Sequence, residues 1–146
     1  EAVDELRELA QGVYPAVLAE RGLTDALRAV ARRSPQTVTV DGPADVGLHA
    51  DDEAAVYFVC LEAIQNAAKH APGASAVSVS IEENADHIRV AVADDGPGFA
   101  PDTAVGSRGL ANMHDRIAAI GGTVAIEAAP GDGTLVRLFV PRRPVR

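Results

Sequence analysis

The stretch Val77-Ser78-Val79-Ser80-Ile81-Glu82-Glu83-Asn84-Ala85-Asp86-His87-Ile88-Arg89-Val90-Ala91-Val92-Ala93-Asp94 decides the fold. Val77, Val79 and Ile81 alternate with Ser78, Ser80 and Glu82, and Ile88, Val90 and Val92 alternate with Arg89, Ala91 and Ala93. A period of two places alternate side chains on opposite faces, so each run reads as a strand with one apolar face. Asn84-Ala85-Asp86 lies between them and reads as the turn of a β-hairpin. A hairpin of this kind needs cover on its apolar face only.

Working outward, residues 51–70 carry the longest helical pattern, with Asp51 or Asp52 as its expected N-cap and Pro72-Gly73 closing it. After the hairpin, residues 95–108 are rich in Gly, Pro and Asp and read as a loop. A helix is expected at about 109–120, ended by Gly121-Gly122 as a C-cap. Thr123–Ala128 and Thr134–Val140 read as two further strands around Pro130-Gly131-Asp132-Gly133. Towards the start, Leu23, Ala26, Leu27 and Val30 form the stripe of a helix over about 23–33, stopped by Ser34-Pro35. Thr37–Val40 reads as a short strand, and residues 1–13 as the end of a helix that breaks at Tyr14-Pro15. Strands arrive in adjacent pairs between helices. The expected fold is therefore α/β, a two-layer sandwich with a mixed β-sheet and its helices on one face.

Composition sets limits on function. The 146 residues suit one domain with a sizeable core, and hydrophobic residues make up 47%. Aromatics are only 3%, so Ala, Val, Leu and Ile must build that core. A net charge of −8 argues against a binder of nucleic-acid backbones. The single cysteine, Cys60, lies among apolar neighbours and reads as a buried small hydrophobe, which fits a reducing compartment. No apolar run approaches the roughly 20 residues that span a bilayer. The expected setting is cytoplasmic, with no direct membrane contact by this domain. Residue 1 is Glu, so the chain is read as a piece of a longer protein.

Four short patterns carry chemistry, and each also has an ordinary reading. Glu62 and Asn66 are four apart on the long helix, so they share a face, with His70 in the same row and Lys69 near it. That row is either a solvated stripe or a carbonyl and a carboxylate suited to a hard cation such as Mg²⁺, with Lys69 able to neutralise phosphate oxygens. In Asp94-Asp95-Gly96-Pro97-Gly98-Phe99 an acid ends a strand and glycines alternate after it. This is either a simple turn or a carboxylate able to accept from an exocyclic amine, beside glycines that let a flat ring approach the backbone. Asp95 reads as a solvated loop acid. Gly106-Ser107-Arg108-Gly109-Leu110 is either a plain helix entry or a loop capturing phosphate at a helix N-terminus. Gly133-Thr134 opens the last strand and reads by itself as a hairpin turn. It is their order along the chain that favours the chemical readings.

In that order the chain resembles the catalytic ATP-binding domain of sensor histidine kinases, within the wider ATPase group that includes gyrase and MutL. Leu61-Glu62-Ala63-Ile64-Gln65-Asn66-Ala67-Ala68-Lys69-His70-Ala71 is similar to the family's N box. Asp94 to Phe99 is similar to its first glycine box, and Gly106 to Leu110 to its second. The run Gly109-Leu110-Ala111-Asn112-Met113-His114-Asp115-Arg116-Ile117 resembles the subfamily that serves response regulators of the NarL/LuxR type. Residues 6–23 resemble the same subfamily's junction after its dimerisation helices.

The resemblance implies a Bergerat fold and a domain division: residues 1–14 as the end of an upstream dimerisation helix and linker, and 15–146 as the ATP-binding domain. It implies ATP and Mg²⁺ as ligands, with Asn66 on the metal and Glu62 beside it to orient or activate. It assigns Asp94 to the adenine amine, Gly96 and Gly98 to the pocket, and Thr134 to the adenine end. Residues 99–108 become a lid, with Gly106, Gly109 and Leu110 near the phosphates and Lys69, His70 and Arg108 as phosphate contacts. The expected partners are a phosphoacceptor domain upstream and a NarL/LuxR-type response regulator. None of the four histidines, His49, His70, His87 and His114, lies in the opening helix, where the resemblance would place the phosphoacceptor beside an acidic residue. This chain is therefore expected to bind nucleotide without phosphorylating itself, and to be monomeric. His87 reads as a solvated strand residue and His114 as a helix-surface one. Two other readings stay open: a serine kinase of the anti-sigma-factor kind or an ATPase clamp on the same fold, and a nucleotide-binding module without catalysis.

Overall fold

The computed structural model describes residues 16–34, 36–70, 76–96, 107–128 and 133–142. Through them run α1 (Ala16–Arg21), α2 (Leu23–Arg33), β1 (Thr37–Asp41), α3 (Ala50–His70), β2 (Ala76–Glu83), β3 (His87–Asp94), α4 (Ser107–Ala118), β4 (Thr123–Ala128) and β5 (Thr134–Pro141). The strands form one mixed sheet in the order β1-β2-β3-β5-β4. β1 pairs parallel to β2, and the remaining pairs are antiparallel.

The alternation sets the layers. Val77, Val79, Ile81, Ile88, Val90 and Val92 are buried, as are Val136, Leu138 and Val140 of β5. Arg89, Arg137 and Phe139 emerge on the opposite face, where Phe139 keeps 38% of its surface in solvent. Helices α3 and α4 cover the apolar face, and α2 packs against β1. Leu27, Val56, Val59, Met113 and Ile117 fill the space between the layers. Each such side chain contributes roughly 1.5–3 kcal/mol of burial. Cys60 is part of this core, and burial pushes its thiol pKa up to about 12.

Local sequence fixes the ends of the elements. Gly121 adopts a left-handed conformation (φ 82°), its N–H donates to Ala118 O, and the Gly122 N–H donates to Ile117 O at 2.9 Å. These are the two bonds of a Schellman cap. At the other helix pair, Gly22 (φ 92°) separates α1 from α2, and the Leu23 N–H donates to Glu53 Oε2 at 3.0 Å. Burial raises the Glu53 pKa, the Leu23 N–H partly offsets this, and the nearby Asp45 charge adds to the rise.

Three expected boundaries move. Helix α3 begins at Ala50, with the His49 carbonyl accepting from Glu53 N–H, so Asp51 and Asp52 sit in its first turn instead of capping it. Acids there still face the positive end of the helix dipole. Helix α4 starts at Ser107, about half a turn before the expected entry, and gives way to its capping turn after Ala118. Gly109 falls within its first turn. The short α1 was not expected, and Gly22 is the break that separates it from α2. The expected helix over 1–13 and its break at Tyr14-Pro15 lie outside the described residues.

The sheet has two ends. At the far end, Arg142 ties three segments together. Its Nε donates to Asn84 O (2.7 Å), its Nη1 to Val46 O (2.8 Å) and Gly47 O (2.9 Å), and its Nη2 to Glu83 Oε2 (2.8 Å). Gly47 sits in a left-handed conformation against this guanidinium. The near end holds Ala76, Asp94 and Thr134, and the candidate site lies there.

Candidate functional site

Chain direction collects the site residues at the near end. Helix α3 leaves the loop held by Arg142 at the far end and runs about 30 Å, at 1.5 Å per residue. Its last turns therefore reach the near end, and only residues 71–75 separate His70 from Ala76 of β2. Helix α4 runs the opposite way. Its C-terminal cap feeds β4 at Thr123, opposite Phe139 at the far end, so its N-terminus points to the near end. Asp94 closes β3 there and Thr134 opens β5, and the two are direct partners in the β3–β5 register.

Asp94 is held closely. The Gly96 N–H donates to its Oδ1 at 2.9 Å, a local turn in which the carboxylate is oriented by its own backbone. Asp94 is half-buried and Gly96 buried. On the other side, Gly133 (φ 74°) lies so close to the Asp94 carbonyl that a Cβ would overlap it. That glycine lets β5 close on the acid.

Glu62 and Asn66 are both half-buried, on the flank of α3 beside the buried Ala63, Ile64 and Ala67. They are thus neither core nor freely solvated. Lys69 and His70 fall in the last turn of α3, and Arg108, Gly109 and Leu110 in the first turn of α4. Their side chains, and all of Gly98, Gly106 and lid residues 99–106, lie outside the described residues. The lid's last two expected residues, Ser107 and Arg108, are helical.

Residues 51–144 match the family of histidine kinase-, DNA gyrase B- and HSP90-like ATPases. The chain belongs to this family. It corresponds to the ATP-binding catalytic domain of histidine kinases, and its similar proteins agree. It is 32% identical to the sensor histidine kinase MctS of Rhizobium johnstonii over 99% of this chain and 33% of that protein. It is 38% identical to the histidine-protein kinase/phosphatase DegS of Brevibacillus brevis over 61% of this chain and 23% of that one. The chain thus spans a third or less of these relatives. The ATP-binding domain of PrrB from Mycobacterium tuberculosis superposes with a TM-score of 0.62 at 25% identity, covering 84% of this chain and 92% of that one. A histidine kinase domain from Erythrobacter litoralis gives 0.66 at 22% identity, covering 81% and 57%, a likeness of fold.

Several features of this ATPase domain were missed in the sequence. The Asp95 carboxylate, read as solvated, accepts the Ala76 N–H at 3.1 Å. His87, also read as solvated, is half-buried with its ring 4.6 Å from that of Phe139 and its Nε2 3.2 Å from Asn84 Nδ2. His114 is exposed on α4, as read. The Arg142 knot had no motif to announce it. No helix among the described residues is long and apolar enough to cross a membrane.

Proposed function

We propose that this domain binds Mg²⁺–ATP at the near end of the sheet and presents the γ-phosphate to a histidine on a dimerisation domain upstream. The observation that carries the reading is the register pairing of Asp94 with Thr134, at the end of the sheet towards which α3 and the N-terminus of α4 both run.

In this reading Asp94 Oδ2 accepts the adenine amine, while Gly96 N–H keeps Oδ1 occupied and the carboxylate oriented. Gly96 and Gly98 leave room for the ring, and Thr134 supports it from β5. The donor set on α3 fits a hard cation: one amide oxygen from Asn66 and one neighbouring carboxylate from Glu62. Asn66 would hold the Mg²⁺ through its amide oxygen, together with phosphate oxygens of the nucleotide, and Glu62 would sit beside it. Bound Mg²⁺ would neutralise phosphate charge. Glu62 orients the Asn66 side or the incoming nucleophile. Lys69, His70 and Arg108 contact phosphate, and the first-turn N–H groups around Gly109 and Leu110, with Gly106 before them, face the negative charge.

The chain's own contribution is positioning and charge neutralisation, as phosphoryl transfer requires. The phosphate would pass from the acceptor histidine to a response regulator of the NarL/LuxR type. The short segment ending at residue 14 would be the tail of the dimerisation helix, and the setting would be cytoplasmic.

Isothermal titration with ATP, with and without Mg²⁺, tests the site. Asn66→Ala should lose the metal-dependent part of binding, and Asp94→Ala should lose preference for adenine over guanine nucleotides. Unchanged titrations for both variants would remove the assignment. Incubation with γ-labelled ATP should leave no acid-labile phosphate on this chain, and stable labelling would place an acceptor within it.

A further inference from the structure

Asp95 has no part in the site just proposed, yet its bonds fall on the strand that carries Asp94. The last regular pair between β2 and β3 is Val77 with Asp94. One step beyond, the Asp95 N–H donates to Ala76 O at 3.3 Å, and Asp95 Oδ1 accepts the Ala76 N–H at 3.1 Å. A side-chain oxygen thus stands where a ladder would use a backbone carbonyl. The pair of bonds adds one rung past Asp94, so the acid is not the terminal residue of its ladder, where strands fray. On the β5 side the same segment rests on Gly133, whose Cβ position would lie 3.6 Å from Asp95 Cα. The backbone of Asp94–Asp95 is therefore gripped between two strands.

We infer that Asp95 is a positioning residue for base recognition: its carboxylate clasps Ala76 and fixes the direction in which Asp94 faces the purine amine. The inference rests on the reading of Asp94 as the adenine acceptor. Asp95 acts through Asp94 and does not touch the nucleotide. The chemistry it requires is an acceptor oxygen one methylene from the backbone, which Asn also supplies and Ala does not.

The test is titration of the 146-residue chain with Mg²⁺–ATP and with purine riboside 5′-triphosphate, which lacks the exocyclic amine. The variants are Asp95→Ala, Asp95→Asn and Asp94→Ala, each measured well below its own unfolding midpoint. Asp95→Ala should weaken ATP about fivefold to tenfold, the scale of one lost hydrogen bond. It should lower the ratio of ATP to analogue affinity at least about threefold, and Asp95→Asn should keep that ratio within about twofold of wild type. A purely structural role would lower the midpoint and leave the ratio unchanged. If Asp94→Ala collapses the ratio and Asp95→Ala does not, the positioning role is overturned and the site reading stands. If Asp94→Ala leaves the ratio intact, the site reading fails, and the role of Asp95 fails with it. If Asp95→Asn behaves as Asp95→Ala, the clasp is not the cause and the inference is overturned.

Discussion

Replacing Gly133 by Ala isolates the contact that shapes the site. Two costs arise there. The backbone sits at φ 74°, in the left-handed region where an L-residue loses roughly 1–2 kcal/mol. The new Cβ also overlaps the Asp94 carbonyl, a backbone atom that cannot turn aside. Overpacking of this kind costs about 1–3 kcal/mol, so the total is roughly 2–5 kcal/mol. Two other glycines separate the parts. Gly121 has the same kind of φ (82°), and the nearest atom to its Cβ position is Pro141 Cγ at 3.8 Å, so Gly121→Ala should show strain alone. Gly122 has no positive φ, but its Cβ would meet the Phe139 carbonyl and lie 2.8 Å from Ile117 Cγ2, so Gly122→Ala should show overlap alone. Urea unfolding of the three variants should rank Gly133→Ala as the most destabilised. Near 25 °C, in native buffer, it should also bind ATP more weakly, because relief of the overlap pushes Asp94 away from Thr134. Gly121→Ala and Gly122→Ala, at the far end, should keep wild-type affinity. Equal stability of Gly133→Ala and Gly121→Ala would refute the role of the Asp94 contact, and wild-type ATP affinity in Gly133→Ala would sever that contact from the site.

Three further outcomes are expected. Arg142→Ala should lose about 1–3 kcal/mol by urea unfolding, and Arg142→Lys should recover only part of it, since an ammonium cannot reach Val46, Gly47, Asn84 and Glu83 at once. Full recovery by Lys would reduce the knot to a point charge. Glu53 has a raised folded-state pKa, so the folded chain holds its proton to higher pH than the unfolded chain does. Stability should therefore fall as pH rises from about the ordinary value of 4.5 through the raised one, and Glu53→Gln, which keeps an acceptor for Leu23 N–H, should flatten that slope. Parallel pH profiles for the two proteins would exclude this origin. Cys60, with its thiol pushed up to about 12 and no exposure, should resist an aromatic disulfide reagent at pH 8 in native buffer and react at once in denaturant. Fast native-state reaction would show that the core opens around α3.

The layers of the fold were legible because they rest on period. Val77 to Val92 reads as a hairpin with one dry face, and that face is buried as the alternation requires. The glycine pair 121–122 was legible as a cap because the Schellman bonds need a left-handed residue at that point. What escaped was built from contacts between residues far apart in sequence. Arg142 meets Val46 across 96 positions, and no local pattern records such a pairing. The start of α3 was misread because Asp51 and Asp52 suit a cap as well as a first turn, and only the His49 carbonyl decides between them. Asp95 reads as a solvated loop acid because it follows the strand into a Gly- and Pro-rich stretch; it is exposed, yet its carboxylate still bonds the strand edge at Ala76.

The two ends of the sheet use the same strands for different purposes. At the far end, Arg142 bonds to four groups, the Gly121–Gly122 cap finishes α4, and a hairpin turn joins β2 to β3. Polar atoms there are spent on one another. At the near end the described residues carry half-buried polar groups: Glu62, Asn66, Asp94 and Thr134. Half-burial costs least where a ligand completes the bonding, because a group fully buried without a partner loses roughly 1–3 kcal/mol. In the proposed reading, the near end keeps that bonding capacity for the nucleotide, while the far end uses its own within the fold. The strands transmit rigidity between them: the register that places Arg89 opposite Phe139 near the knot places Asp94 opposite Thr134 at the site. A one-residue slip in β5 would turn its apolar set, Val136, Leu138 and Val140, out of the core. The core thus enforces the register, and the register sets the partner of Asp94.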